Sequence, residues 1–155
     1  MSDALEQELK QLDNWLTPLI ENLSAKERRV LAREVARDLR LANRERIKAQ
    51  TNPDGTPYEP RKQLRGRSGA IRRKAMFKKL GTAKYLKIKT SSDEAALGFF
   101  SSVARIARVH HYGLRDRVEK GGPQHKYARR ELIGITAKDA DHIAESVLNH
   151  LSPPS

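Results

Sequence analysis

An acid-free and strongly basic stretch divides this chain. The 33 positions between Glu59 and Asp93 carry twelve Lys and Arg side chains and no Asp or Glu. Because the whole chain has 31 Lys+Arg and 19 Asp+Glu, these twelve cations account for its entire formal net charge of +12. Within the stretch, residues 61–74 contain too few apolar side chains to offset the entropy cost of ordering them. We therefore predict a Pro/Gly turn and a flexible basic arm or long loop over 51–75.

This basic arm favours contact with a polyanion or with an acidic protein face, and a solvated loop is the third alternative. The cations expected to make the electrostatic contact lie in the arm and just after it. They are Arg61, Lys62, Arg65, Arg67, Arg72, Arg73, Lys74, Lys78 and Lys79.

The length of 155 residues is typical of one domain, so we expect a single domain over 1–155. We divide it into a helical part over 1–50, the turn and arm, an α+β part over 76–151 and a tail over 152–155. Hydrophobic residues make up only 37% of the chain, which predicts a modest core. No apolar run reaches the ~18–20 residues of a membrane span, and MSDALEQELK lacks the order of a secretory signal, so we expect a cytoplasmic protein without membrane contact.

The residues that usually carry chemistry show no catalytic pattern. With no cysteine, the chain has no disulfide, zinc ribbon or cysteine nucleophile. No HExxH pattern, nucleophile elbow or phosphate-binding glycine motif is present. The only histidine cluster is His110-His111, which we expect to be structural, with one ring inward and the other outward. We predict no enzyme activity, catalytic residue, metal, cofactor or small-molecule substrate.

Leucines at spacings of three and four predict an amphipathic helix over 3–22. Pro18 lies inside it, so we expect a kink or a restart with Thr17 as N-cap. Ser24 and Glu27 have capping-box spacing and predict a second helix of about 25 residues. Six arginines of this helix should face outward: Arg28, Arg29, Arg33, Arg37, Arg40 and Arg44.

Thr51–Pro60 reads TNPDGTPYEP, and its prolines and glycine predict a turn that ends the second helix. After the arm, Met76, Phe77 and Leu80 fit one apolar turn of helix. Alternating apolar and polar residues over 82–90 predict a strand, which pairs with a second strand as a hairpin.

The rest of the chain is predicted to hold a short helix that ends at Gly113, a polar loop over 115–127 and a third strand over 131–135. Thr136 and Asp139 should cap a final helix that buries Ile143, Val147, Leu148 and Leu151. The order ααββαβα predicts an α+β fold with two N-terminal helices, a small and mainly antiparallel sheet, a C-terminal helix and the central basic flexible arm.

Three stretches in this order resemble the phage virion morphogenesis family. A long helix opens into NPDGTPYEP at Asn52–Pro60, an H-x-aromatic-Gly pattern covers His110–Gly113, and ARRELIG covers Ala128–Gly134. The resemblance extends from about Leu5 to Leu151. The positions that match the family's motifs are Asp54, Gly55, Pro57, Tyr58, His110, Tyr112, Gly113, Arg130 and Gly134. The family pattern also has two prolines where this chain has Ala128 and Glu131.

The resemblance implies a non-enzymatic structural protein that completes the tail at its head-proximal end and so allows head–tail joining. It implies other tail or neck proteins as partners, self-association into a ring, expected to be six-fold, and passing contact with DNA. The protein would act in the host bacterial cytoplasm during assembly and lie in the virion tail or neck. His110, Tyr112 and Gly113 would shape a tight turn beside the sheet. Independently of the resemblance, the amphipathic character of tyrosine predicts that Tyr58 and Tyr112 are hydrophobic anchors of their loops, with partner contact as the alternative.

Two other functions remain open. The first is a nucleic-acid-binding module that uses the basic segment 61–89, although this segment has few aromatic residues for base stacking and no recognition-helix motif. The second is a hydrolase of the cell envelope, against which the missing nucleophile and metal cluster argue.

Overall fold

The computed structural model describes residues 3–61, 75–117 and 120–151. In chain order the elements are α1 (Asp3–Glu21), α2 (Ala25–Lys48), β1 (Leu86–Thr90), β2 (Ala95–Phe99), α3 (Ser102–Tyr112), β3 (Arg115–Arg117), β4 (Gln124–Lys126) and α4 (Ala137–Leu151). This is the predicted α+β class. Within the described residues, no helix has the length and apolar character needed to cross a membrane.

The chain forms two compact units. The first unit is made of Met1–Ala42, Lys87–Gly98 and Ile135–Ser155. The second unit is made of Asn43–Leu86 and Phe99–Gly134.

Helix α1 runs through Pro18 as one element, so the predicted restart with Thr17 as N-cap was wrong. The Thr17 hydroxyl lies 2.7 Å from the carbonyl oxygen of Asp13 and 3.1 Å from its Oδ1, which are partners of a helix-interior threonine. Packing of the leucine face keeps the helix continuous, although the proline removes one backbone donor.

The predicted helix caps at Ser24 and Thr136 are confirmed. The backbone N–H of Glu27 donates to Ser24 Oγ at 3.1 Å, and the N–H of Ser24 donates to Glu27 Oε2 at 3.0 Å. Thr136 and Asp139 exchange the same two bonds, both at 3.0 Å, at the start of α4. Each pair satisfies two donors that a helix start leaves free, so these boundaries are set locally.

The core of the first unit joins apolar faces of α1, α2 and α4. Leu16, Leu23, Leu31 and Val147 are its buried residues. Leu148, which we predicted to be buried, is 42% exposed, because α4 turns this position away from the core. Partly buried side chains complete the cluster: Leu12, Leu19, Ile20, Val35, Ile143 and Leu151.

The core of the second unit forms around the end of α2 and the middle of α3. Its buried residues are Ile47, Tyr58, Met76, Ala107 and Leu132, and Phe77, Leu80 and Phe99 pack against them. The predicted helical turn after the arm is a series of turns, in which the N–H of Gly81 donates to the carbonyl of Phe77 at 3.2 Å.

The strands form two separate two-stranded sheets rather than one. β1 and β2 make the predicted hairpin, and the burial of β1 alternates as its sequence indicates. The polar loop predicted over 115–127 was wrong, because β3 and β4 pair antiparallel there, with Asp116 opposite His125. Three-residue strands of polar side chains lack the apolar alternation by which strands are recognised in a sequence.

The third strand predicted over 131–135 was also wrong, since this segment is irregular, bends at Ile133 and pairs with no strand among the described residues. Side chains from elsewhere in the second unit accept hydrogen bonds from its backbone N–H groups, which removes the donors that a sheet would use. The three bonds are Glu131 N to Asn52 Oδ1 (2.8 Å), Leu132 N to His111 Nδ1 (3.1 Å) and Gly134 N to Asn43 Oδ1 (2.9 Å).

Candidate functional site

The three motif stretches converge in the second unit, although up to about 80 positions separate them in the sequence. Tyr58, only 5% exposed, donates its hydroxyl to the carbonyl oxygen of Glu131 at 2.9 Å. Arg130, 7% exposed, donates from Nε to the carbonyl of Glu59 at 2.7 Å and from Nη2 to that of Pro60 at 3.2 Å. These reciprocal bonds hold the Asn52–Pro60 turn against the segment that precedes α4.

The turn itself is closed by its own polar side chains. Asp54 Oδ1 accepts hydrogen bonds from the backbone N–H of Thr56 at 2.9 Å and from its hydroxyl at 2.5 Å. These bonds stabilise the charged carboxylate, with the hydroxyl contributing most, and so lower the pKa of Asp54. Gly55 has a φ of +89°, which glycine adopts without the strain that a Cβ would add.

Both histidines at the end of α3 are half-buried, so the predicted inward and outward pair was wrong. The ring of His110 lies edge-on to Phe77 (4.9 Å between centroids) and to Tyr127 (4.8 Å). His111 accepts the N–H of Leu132 at Nδ1. Burial lowers the pKa of both rings, and the charge of Arg130 lowers that of His110 further.

Two motif glycines allow backbone segments to approach closely. Gly113 ends α3 in the left-handed conformation (φ +64°), and a Cβ there would lie 2.9 Å from the backbone N of Arg129. A Cβ on Gly134 would lie 2.6 Å from Cγ of Pro53. Both glycines therefore stand where distant parts of the second unit meet.

Comparison with known proteins places these motifs in a family. The sequence profile of the phage virion morphogenesis family matches residues 7–152. The chain belongs to this family. It is also 42% identical over 147 residues to the tail completion protein S of Escherichia phage P2, an alignment that covers 93% of this chain and 97% of that protein. No solved structure matches the chain.

In this family member, sequence reasoning missed three polar residues that hold the site together. Asn43, 1% exposed, accepts at Oδ1 from the N–H of Gly134 and from Nη2 of Arg46 at 2.6 Å. The same Nη2 donates to the carbonyl of Gly134 at 2.9 Å. Asn52 is the third, through its bond from the N–H of Glu131. An asparagine on the apolar face of a helix was the available signal for Asn43.

The departure from the family pattern at Glu131 has a structural consequence in this chain. A proline at this position would have no backbone N–H to donate to Asn52. Here Glu131 makes that bond, and its side chain also accepts from Arg129 at 2.6 Å.

The predicted contact residues lie at the surface where they are described. Arg61, Lys78 and Lys79 are exposed. Tyr112 is 57% exposed, with its ring T-shaped to that of His111, so it does not anchor a loop in the core, whereas Tyr58 does. The other predicted contacts lie outside the described residues: Lys62, Arg65, Arg67, Arg72, Arg73 and Lys74. Asp54, Gly55 and Pro57 form the exposed tip of the turn.

The described part of this family member contains no group of three His, Asp or Glu side chains that could hold a metal ion. His142 and His150 each pair with one carboxylate of α2: His142 lies 3.0 Å from Asp38, and His150 bonds to Glu34. The side chains of Tyr58, Arg130 and His111 bond to backbone groups. The arrangement can therefore fix the relative positions of the turn, the end of α3 and segment 128–134, and so present a defined surface.

Proposed function

We propose that this chain is a tail completion protein, a structural component that finishes the phage tail at its head-proximal end so that the tail can join a head. The observation that carries this proposal is the 42% identity to a tail completion protein along almost the full length of both chains. The family match over residues 7–152 also supports it.

The role that we propose is non-enzymatic. The buried Tyr58 and Arg130 and the half-buried His111 support this role, because their side chains already bond to backbone groups of the protein. Tyr58 and Arg130 bind carbonyl oxygens, and His111 binds an N–H. A substrate would have to compete with the backbone for these side chains, whereas in a structural role the same bonds hold the fold together.

We propose other tail or neck proteins as partners, together with self-association into a ring, six-fold if it follows the symmetry of a tail. The protein would act in the bacterial cytoplasm while particles assemble and lie in the tail or neck of the virion. The acid-free basic segment suits contact with acidic faces of neighbouring proteins or passing contact with DNA.

Electron microscopy of lysates tests tail completion directly. The gene is disrupted in an inducible phage, and a plasmid supplies either the wild-type protein or no protein. We expect filled heads beside separate or abnormal tails without the protein, and whole particles with it. Whole, infectious particles in the absence of the protein would overturn the proposal.

The excess charge of segment 61–89 favours nucleic-acid binding as the alternative function. A variant in which six cations of the arm are changed to Gln distinguishes tail completion from nucleic-acid binding. If the arm serves assembly, purified protein binds bare duplex DNA weakly and the variant fails to join tails to heads. If the protein is a DNA-binding module, the wild type binds duplex tightly with a steep salt dependence, which the variant loses. The substituted positions are Lys62, Arg65, Arg67, Arg72, Arg73 and Lys74.

A second six-site variant controls for net charge alone. It changes an equal number of exposed cations outside the arm, and we expect it to complement the disruption as the wild type does. Its positions are Lys48, Arg108, Arg115, Lys120, Lys126 and Lys138.

A further inference from the structure

One face of α2 carries a continuous row of cations within the first unit. We name this set the basic row; its members are Lys26, Arg29, Arg33, Arg37 and Arg40. At about 100° per residue the five side chains fall within an arc of about 80°, and at a rise of 1.5 Å per residue they extend over about 21 Å of the helix. All are exposed except Arg40, which is half-buried.

The basic row has no anionic partner within the described part of the chain. None of its five side chains forms a hydrogen bond or an ion pair there, whereas the nearby Arg28 pairs with Asp93 at 3.9 Å. Like charges three and four residues apart on a helix repel one another. A partner that brings negative charge to this face would remove that repulsion.

Helix α1 of the same unit exposes the opposite charge. Asp3, Glu6, Asp13 and Glu21 also fall within an arc of about 80° and are exposed, with Lys10 among them; we name these four carboxylates the acidic row. Asp13 accepts a hydrogen bond from the Thr17 hydroxyl, and the other three have no partner among the described residues.

We propose that the basic row of one copy binds the acidic row of α1 in a second copy. Residues 3–42 contain eight carboxylates and seven cations, so this part of the chain is almost neutral although the whole chain is not. Its charges are instead separated: the unpaired carboxylates lie on α1 and, apart from Lys10, the unpaired cations lie on α2. A second copy is the partner that satisfies both rows with one kind of contact.

One observation favours this occupant over a nucleic acid. Val30 and Leu41, respectively 50% and 57% exposed, border the row and offer apolar contact to a protein surface. An acidic partner other than this chain would leave the acidic row of α1 unpaired.

When one copy binds one neighbour through its basic row and another neighbour through its acidic row, the contact is heterologous and generates a ring if its rotation closes. This inference rests on the proposed function, because it assigns two surfaces to the self-association that we propose for a tail completion protein. The charge argument itself depends only on α1 and α2.

Sedimentation velocity of the full-length protein tests the contact with two charge-reversed variants. The first, Arg33→Glu with Arg37→Glu, reverses the middle of the basic row. The second, Glu6→Arg with Asp13→Arg, reverses the middle of the acidic row. We expect the wild type to associate as its concentration rises, and each variant alone to associate at least about tenfold more weakly.

The decisive measurement is made on a mixture of the two variants. The acidic row of the first variant is intact and can bind the intact basic row of the second, so the mixture should recover association to within about threefold of the wild type. If the variants associated weakly because they were misfolded, or if the basic row bound DNA instead, mixing them would not restore association. Lys87→Glu with Lys89→Glu makes the same charge change on exposed positions of β1 and should associate as the wild type does.

Three results would overturn the proposal: a wild type that stays monomeric at every concentration and low salt, a first variant that associates as strongly as the wild type, or a mixture that does not recover. Binding of a 30-base-pair duplex that Arg33→Glu with Arg37→Glu abolishes, without any self-association, would assign the row to nucleic acid instead. Complementation by the wild-type gene keeps the two questions apart, because failed self-association beside normal complementation removes this contact and leaves tail completion in place.

Discussion

The Tyr58 hydroxyl donates to the backbone carbonyl of Glu131 at 2.9 Å, across 73 positions of sequence. The bond joins the turn that ends α2 to the segment that precedes α4. Its burial raises the pKa of Tyr58 to about 12, because the phenolate would lose its hydration.

Tyr58→Phe should lower the free energy of unfolding by about 1–2 kcal/mol, since the ring still packs but a buried carbonyl loses its donor. Urea unfolding at pH 7 measures this loss. A pH series gives a second readout: the unfolded tyrosine ionises near pH 10, below the folded one, so stability should fall as the pH rises from about 10. This part of the fall should be absent from Tyr58→Phe, and an unchanged alkaline slope would refute the assignment.

His111→Asn should remove an acid sensitivity. The ring accepts the N–H of Leu132 at Nδ1 and is held neutral, with its pKa lowered by burial. The unfolded histidine takes up a proton near pH 6.5 while the folded one does not, so wild-type stability is full above that pH and falls below it. Asparagine keeps an acceptor in place and does not titrate. Urea unfolding at pH 7.5 and 5.5 should show a smaller acid loss in the variant, with the remainder coming partly from His110.

Gly134→Ala should destabilise the protein by about 1–3 kcal/mol, because the new methyl would lie 2.6 Å from Cγ of Pro53 and force the turn to shift. Gly81→Ala is the matched control. Its Cβ would meet Ile47 at an ordinary 3.7 Å. Thermal unfolding compares the two, and equal melting temperatures would show that this close approach does not constrain the fold.

Arg130→Ala should cost about 3 kcal/mol or more, because two backbone carbonyls lose a charged donor and a cavity forms. Arg130→Lys should recover part of this stability, since an ammonium group cannot reproduce the guanidinium fork. The neighbouring Arg129 pairs with Glu131 from a side chain that is 61% exposed, so Arg129→Ala should cost no more than about 1 kcal/mol. Chemical denaturation of the three variants would contradict this ranking if Arg129→Ala proved the most harmful.

The local features of this fold could be predicted because neighbouring residues decide them. Capping boxes at Ser24 and Thr136 set two helix starts through bonds three residues apart. Gly113 ends α3 for the same kind of reason, since it adopts the left-handed conformation that glycine tolerates. The leucine spacing of α1 likewise indicated its buried face, and the motifs indicated the family.

The tertiary structure decided which distant groups share a hydrogen bond. Residues 131–135 have the apolar character of a strand, yet Asn43, Asn52 and His111 take the N–H groups that a sheet would need. The β3–β4 hairpin depends in the same way on backbone pairing, to which its polar side chains give no sequence pattern. The sequence by itself determined the helices, their caps and the family. Only the tertiary structure decided how the motif residues bond to one another, because backbone donors and acceptors are identical along the chain and pair by position in space.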